Sequence, residues 1–483
     1  MDILFVTTEL APYVKVGGLA DVASALPKAL RALGHKVTLV LPRFPAIEAA
    51  GLLVARRLTP LKVTLGAKTI DVTLYDGRLP SQVDLVLIDA PGMFDRPGVY
   101  GENGEDYPDN GARFALLSRA AAEIARQRAA AGTPFDIVHA HDWPAALVPS
   151  HLKALAVETP QLAATKSVLT IHNVAHQGIF PKEMLPTLGL GWDTFSIDGI
   201  EFYGGLNILK QGILTSDAVT TVSSTYAREI QTVALGHKLD GVLRERSSAV
   251  VGITNGVDYG VWNPATDPNL AARYDAEDTS NKARCRGALQ KEVGLPLDTN
   301  APLLLSVGRI VHQKGSDLVA AALPKILRGT EAQVLIIGDG DAALIKKLED
   351  AVAKAHGRAV FVRAGSEPLV HRAFAAADFA LVPSRYEPCG LTQMYAQRYG
   401  ALPVARATGG LVDTIVDCDA KLETGTGFLF EEETADALLG AVERAIAARA
   451  APRWPNLVRR VMRLDRGWER AARQYEQLFR SLK

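Results

Sequence analysis

The chain has 483 residues, 48% hydrophobic and 22% charged, enough apolar material for two or three packed domains and too much for a disordered segment. Its 53 basic and 53 acidic residues cancel to a formal net charge of zero, which excludes a whole-surface attraction to nucleic acid or to an anionic membrane. Three cysteines, Cys285, Cys389 and Cys418, are too few and too scattered for a disulfide framework or a metal-ligand pattern, and they point to a reducing, cytoplasmic setting.

In chain order, MDILFVTTEL carries no basic leader, and no later stretch approaches bilayer-spanning length, so a soluble, untargeted protein is expected. Within that start, ILFVTT reads as a strand that ends in a Pro/Gly loop, and LADVASALPKALRALGH then repeats its apolar residues at helical spacing. KVTLVLP, VDLVLIDAP, DIVHAHDW and SVLTIHN follow as further apolar strands, with helical stretches such as RFALLSRAAAEIARQRAA between several of them. Continuous apolar strands alternating with helices predict a parallel sheet covered on both faces.

The alternation restarts after about residue 250 with PLLLSVGR, QVLIIGDGD, AVFVRAG and DFALVPS, each followed by a helix, and then LPVA. An Asn, Asp, Pro and Gly-rich stretch beginning NGVDYGVWNPATD separates the halves. Two doubly wound domains are therefore expected, residues 1–248 and 249–460. The closing RGWERAARQYEQLFRSLK reads as an amphipathic helix within residues 461–483, with Trp468, Ala472, Tyr475 and Leu478 on its apolar face.

The two halves share a motif, KVGGLADV at 15–22 and ATGGLVDT at 407–414. Domains of this kind bind ligands beyond the carboxyl ends of their strands, where small side chains let a ligand approach the backbone and helix N-termini favour anions. Lys15 beside Gly17 and Gly18 suits a phosphate, with a solvated lysine on a turn as the alternative. GGL without GxGxxG, and with no ribose-binding acid after it, counts against a nicotinamide oxidoreductase.

Arg309 and Lys314 in GRIVHQKG follow a strand at a spacing that suits a diphosphate clamp. In PSRYEPCGLTQ the strand ends before Arg385 and the helix begins near Cys389, so Glu387 falls on the loop between. There a carboxylate can accept hydrogen bonds from sugar hydroxyls, while the amides of Cys389, Gly390 and Leu391 and the Thr392 hydroxyl offer donors. Glu387 as a helix cap or as a partner of Arg385 is the alternative. His139 and His141 share one side of a strand, but no carboxylate or cysteine stands at ligand spacing, and GDGD at 338–341 reads as a turn before a helix capped by Asp341, so no metal is assigned.

Taken in order, KVGGLAD, VHAHDW, TIHN, STYAREI, NGVD, WNPATD, GRIVHQKG, PSRYEPCGLTQ and ATGGLVDT resemble the glycogen and starch synthase family, retaining glucosyltransferases of the two-domain GT-B fold, over nearly the whole chain. The resemblance implies ADP-glucose as donor, the nonreducing 4-hydroxyl of an α-1,4-glucan (glycogen) as acceptor, no cofactor, domain closure over the substrates and a last helix that crosses back to the N-terminal domain. It further implies that Lys15, Arg309 and Lys314 bind the diphosphate, that Glu387 and His141 support the donor glucose, and that Gly409 and Gly410 let backbone amides approach it. Where many bacterial members have Gly-Tyr-x-Glu, this chain reads Ala364-Gly365-Ser366-Glu367, so the expected aromatic beside the base is missing. UDP-glucose as donor, a small-sugar acceptor and a catalytically silent glucan-binding protein stand as the alternatives.

Overall fold

The structure is a computed structural model that describes residues 1–102 and 104–483. Its contacts divide the chain into one compact unit of Met1–Asn255 with Trp468–Lys483 and a second of Gly256–Gly467. Each is an α/β layer structure built on a largely parallel sheet, as the alternation of strands and helices predicts.

The first unit centres on the strand Asp2–Val6, whose Ile3, Leu4, Phe5 and Val6 are fully buried because helices cover both faces of the sheet. On one side it pairs in parallel with Lys36–Pro42 and then Asp84–Asp89, and on the other with Ile137–His141, Lys166–Ile171, Ala218–Thr221 and Val250–Gly252. The last of these pairings keeps the chain in the first unit to Asn255, beyond the expected end at residue 248.

The sequence reading missed two features of this unit. Leu61–Leu65 and Lys68–Arg78 form an antiparallel hairpin that extends the sheet past Asp84–Asp89, and Leu61–Leu65 alternates buried and exposed residues in place of a continuous apolar run. Ile179–Pro181, Glu201–Phe202 and Gly205–Asn207 make a small separate antiparallel sheet.

The helix Trp468–Ser481 belongs to the first unit and buries Trp468, Ala471, Ala472, Tyr475 and Phe479 in its core. Leu478, expected on the apolar face, is partly buried against the same core, and Phe479, four residues from Tyr475, is fully buried beside it. His139 meets the rings of Tyr475 and Phe479 at 5.3 and 5.6 Å, while His35 Nε2 stands 3.3 Å from Glu476 Oε1. Residues 461–467 stay with the second unit, where the Val257 amide donates to the Arg466 carbonyl at 2.7 Å.

In the second unit all six strands are parallel, in the order Ala359–Arg363, Gln333–Gly338, Leu303–Val307, Phe379–Val382, Leu402–Arg406, Phe428–Phe430. The order reverses between Leu303–Val307 and Phe379–Val382. In the first unit the corresponding reversal lies between Asp2–Val6 and Ile137–His141. Two adjacent strands whose crossovers leave in opposite directions open a crevice at their carboxyl ends, the usual ligand position in such sheets. Among the described residues no helix is long and apolar enough to cross a membrane.

Candidate active site

At the second unit's reversal, the segment after Leu303–Val307 carries Arg309 and Lys314, and the segment after Phe379–Val382 carries Ser384 to Leu391. Lys314 ends a short 3-10 turn at Gly315, which has φ 68° and whose Cβ, if present, would lie 2.2 Å from the Pro383 carbonyl oxygen. Glycine there lets the two segments touch. Across that contact Lys314 Nζ reaches Glu387 Oε2 at 2.6 Å, and Ser384 Oγ donates to the same oxygen at 2.9 Å.

Glu387 is neither a helix cap nor a partner of Arg385. Arg385 forks onto Asp317 at 2.7 and 2.8 Å and reaches Glu433 at 2.5 Å, which leaves the Glu387 carboxylate to Lys314. Glu387 is 5% exposed, so pairing with a cation and a hydroxyl offsets the desolvation of its charge. Arg309 is exposed, and its guanidinium makes no hydrogen bond to any described residue, which leaves its donors to solvent or ligand.

The loop after Glu387 is held from below. Gln393, inside the helix Thr392–Arg398, donates through Nε2 to the carbonyls of Cys389 at 3.0 Å and Gly390 at 2.7 Å. That helix starts at Thr392 with no side-chain cap at Leu391, so its first amides are open to an anion. Gly409 and Gly410 lie against the same loop. The Gly410 amide donates to the Glu387 carbonyl at 2.9 Å, and a Cβ on Gly410 would stand 2.2 Å from the Cys389 carbonyl oxygen. Close packing of two loops is thus what requires glycine at 410, and its amide is engaged within the protein instead of reaching toward a sugar.

The first unit's reversal brings together the glycine loop and the ends of two neighbouring strands. Lys15 and Gly18 are exposed; Lys15 Nζ stands 2.9 Å from Asp21 Oδ1, and the helix Gly18–Ala32 begins with no side-chain cap on Gly17. The amides of Val16 and Gly17 both donate to Glu9 Oε2 at 2.7 Å, so they face inward and not toward a phosphate.

His141 also departs from its expected place. It is fully buried, stacked on Phe5 at 3.9 Å between ring centres, and its Nδ1 lies 2.9 Å from Nε2 of His172. His172 is the partly exposed member of the pair, one residue past the strand Lys166–Ile171, and the Asp142 carboxylate accepts its amide at 2.7 Å. Removal from water pulls the His172 imidazole down to about 3, so it is a neutral hydrogen-bonding group at pH 7. Burial pushes the Asp142 carboxyl up to about 7 against the pull of the His172 and Asn173 amides, at a residue held with φ 55°.

His172 is the residue that the sequence reading passed over, and Asp142, next to His141 in VHAHDW, was given no role. The available signal was that TIHN and HAHD end neighbouring strands in the same way, with Thr170 opposite His141 in the register. Among the described residues no group of three His, Cys, Asp or Glu side chains is arranged to hold a metal ion. Asp341 accepts the Leu344 amide at 2.9 Å, as a helix cap does.

Comparison with known proteins meets this geometry over the whole chain. Residues 2–245 match the starch synthase catalytic domain family, and residues 290–456 match the glycosyl transferases group 1 family. The glycogen synthase of Anaeromyxobacter dehalogenans (strain 2CP-1) is 46% identical over 100% of this chain and 99% of its own. The chain belongs to the glycogen and starch synthase family. Glycogen synthase 2 of Geobacter sulfurreducens is 40% identical over 99% of this chain and 98% of its own. Among solved structures, the catalytic domain of starch synthase IV from Arabidopsis thaliana, bound to ADP and acarbose, superposes with a TM-score of 0.91 at 32% identity and covers 99% of both chains. The GT-B fold and glucosyltransferase activity that the motifs imply are thereby borne out.

Proposed function

We propose that this chain lengthens an α-1,4-glucan by one glucose, taken from ADP-glucose and joined to the nonreducing 4-hydroxyl with retention of configuration. The observation that carries the reading is the Lys314–Glu387 pair at the second unit's reversal, with exposed Arg309 on the segment that also bears Lys314. The ADP bound to the Arabidopsis starch synthase and the glycogen synthase names of the full-length bacterial relatives support the donor and the acceptor.

Breaking the anomeric carbon–oxygen bond builds positive charge on the sugar and negative charge on the departing diphosphate. Arg309, Lys314 and Lys15 supply positive charge for the second, placed where negative charge develops. Glu387, held by Lys314 and Ser384, accepts hydrogen bonds from the donor glucose and offsets the first. His172, neutral and backed by His141, offers a polar contact to the sugar. The acceptor O4 bonds to the anomeric carbon on the face that the diphosphate leaves, and its proton passes to the departing phosphate oxygen. This accounts for retention with no covalent intermediate on Glu387.

Among the described residues no disulfide joins Cys285, Cys389 and Cys418, which fits a reducing cytoplasmic compartment. One observation favours a second reading. Ala364 and Gly365 stand where the family's aromatic is expected, with Ala364 at φ 51° and Ser366 capping the helix Glu367–Ala376, so no ring at these positions selects adenine and UDP-glucose is the rival donor. Glu387→Ala and Lys314→Ala test the site: each is expected to lower kcat about 1000-fold by removing a charge matched to the transition state. Wild-type kcat in both variants would contradict the assignment.

A further inference from the structure

Glu9 is a buried carboxylate that the transfer reaction described above does not use. It lies three residues beyond the strand Asp2–Val6 and is 3% exposed. One oxygen, Oε2, accepts the amides of Val16 and Gly17, both at 2.7 Å, while the other accepts the Tyr100 hydroxyl at 2.9 Å. Tyr100 is itself 2.7 Å from Thr8 Oγ1, and the Glu9 amide donates to Thr7 Oγ1 at 3.3 Å. The end of the central strand, the glycine turn and the loop bearing Tyr100 therefore meet on one carboxylate.

Two consecutive amides aimed at a single oxygen fix the peptide planes between residues 15 and 16 and between 16 and 17. Those planes set the direction in which the Lys15 side chain leaves the backbone. They also turn two donors inward, so an incoming phosphate is met by the Lys15 ammonium and by the uncapped start of the helix Gly18–Ala32. Burial pushes the Glu9 carboxyl up, against the two amides and Tyr100, which pull it down.

We propose that Glu9 is the positioning residue of this turn, acting on glucosyl transfer through Lys15 and not by touching the sugar or the diphosphate. The inference rests on the reading of Lys15 as a diphosphate-binding cation.

A double-mutant cycle in the full-length chain, assayed with ADP-glucose and glycogen, separates the two claims. Lys15→Ala is expected to lower kcat about 100-fold, as loss of a charge facing the leaving group does. Glu9→Ala is expected to lower kcat at least about 10-fold with the KM for ADP-glucose within about threefold, because the ground-state complex keeps Arg309 and Lys314. The double variant should be no slower than Lys15→Ala within about threefold, since a residue that acts only through Lys15 has nothing left to position. Glu9→Gln still presents an oxygen to both amides and should keep kcat within about fivefold. Where Glu9→Ala gives no folded protein, Tyr100→Phe replaces it in the same cycle, with a smaller loss that again disappears in the Lys15→Ala background. Losses that multiply in the double variant, or wild-type kcat in Glu9→Ala, overturn the role of Glu9. Wild-type kcat in Lys15→Ala overturns the reading of Lys15 and the inference with it.

Discussion

Lys314 and Glu387 are 73 residues apart in the chain, yet the two are joined at 2.6 Å because two strand ends adjoin at the second unit's reversal. Their candidacy was legible in the sequence, since GRIVHQKG and PSRYEPCGLTQ each follow an apolar strand and precede a helix. The order of the histidines was not legible, because alternation along one strand says nothing of what the next strand sets in front of it. His141 carries the family motif but lies behind His172. His172→Ala is therefore expected to lower kcat/KM about 100-fold with little change in Tm, while His141→Ala lowers Tm as well by emptying a fully buried site stacked on Phe5. Equal activity of His172→Ala and wild type would reverse that order.

Asp142 makes a second residue-scale prediction. Its folded-state carboxyl stands at about 7, above the ordinary 3.8. The native chain thus binds a proton more tightly than the unfolded one, and the stability from this group is full below about pH 4 and lost as pH rises through 7. Asp142→Asn removes that dependence. The Tm of the variant relative to wild type should be higher at pH 8 than at pH 5, and an unchanged difference in thermal melts at the two pH values would show that the carboxyl does not titrate in this window.

At the scale of elements, the parallel strands and their helices were legible because burial on both faces forces continuous apolar runs with a helical period between them. The hairpin of Leu61–Leu65 and Lys68–Arg78 escaped because it alternates and is rich in charged and Thr residues. The small sheet escaped because strands of two or three residues are too short to show a period. The last helix was legible as an amphipathic element, although its stripe through Leu478, which is partly buried against the core, left out Phe479. Since Phe479 is fully buried in the first unit's core, Phe479→Ala should destabilise that unit by about 3–5 kcal/mol in urea unfolding. A loss under about 1 kcal/mol would place the helix outside the core.

For the whole molecule, a net charge of zero and ordinary composition exclude partners without naming one, and the activity became legible only through the ordered motifs. The donor is the point that the motifs leave open, because Ala364 to Glu367 lack the aromatic that the family resemblance leads one to expect. Each half repeats one physical arrangement, a glycine-bearing segment and an uncapped helix start beside a strand reversal, and an arrangement of that kind favours an anion without distinguishing the base attached to it. Selection between adenine and uracil must come from other side chains around the base.

The most direct measurement of the central claim is transfer of radiolabelled glucose to glycogen from ADP-glucose and from UDP-glucose in parallel, with glucose 6-phosphate and fructose 6-phosphate offered as small acceptors. The account predicts incorporation into glycogen from ADP-glucose at least about 10-fold faster than from UDP-glucose, a discrimination of about 1.4 kcal/mol, and none into the small acceptors. Faster incorporation from UDP-glucose, or label in a sugar phosphate and none in glycogen, would contradict it.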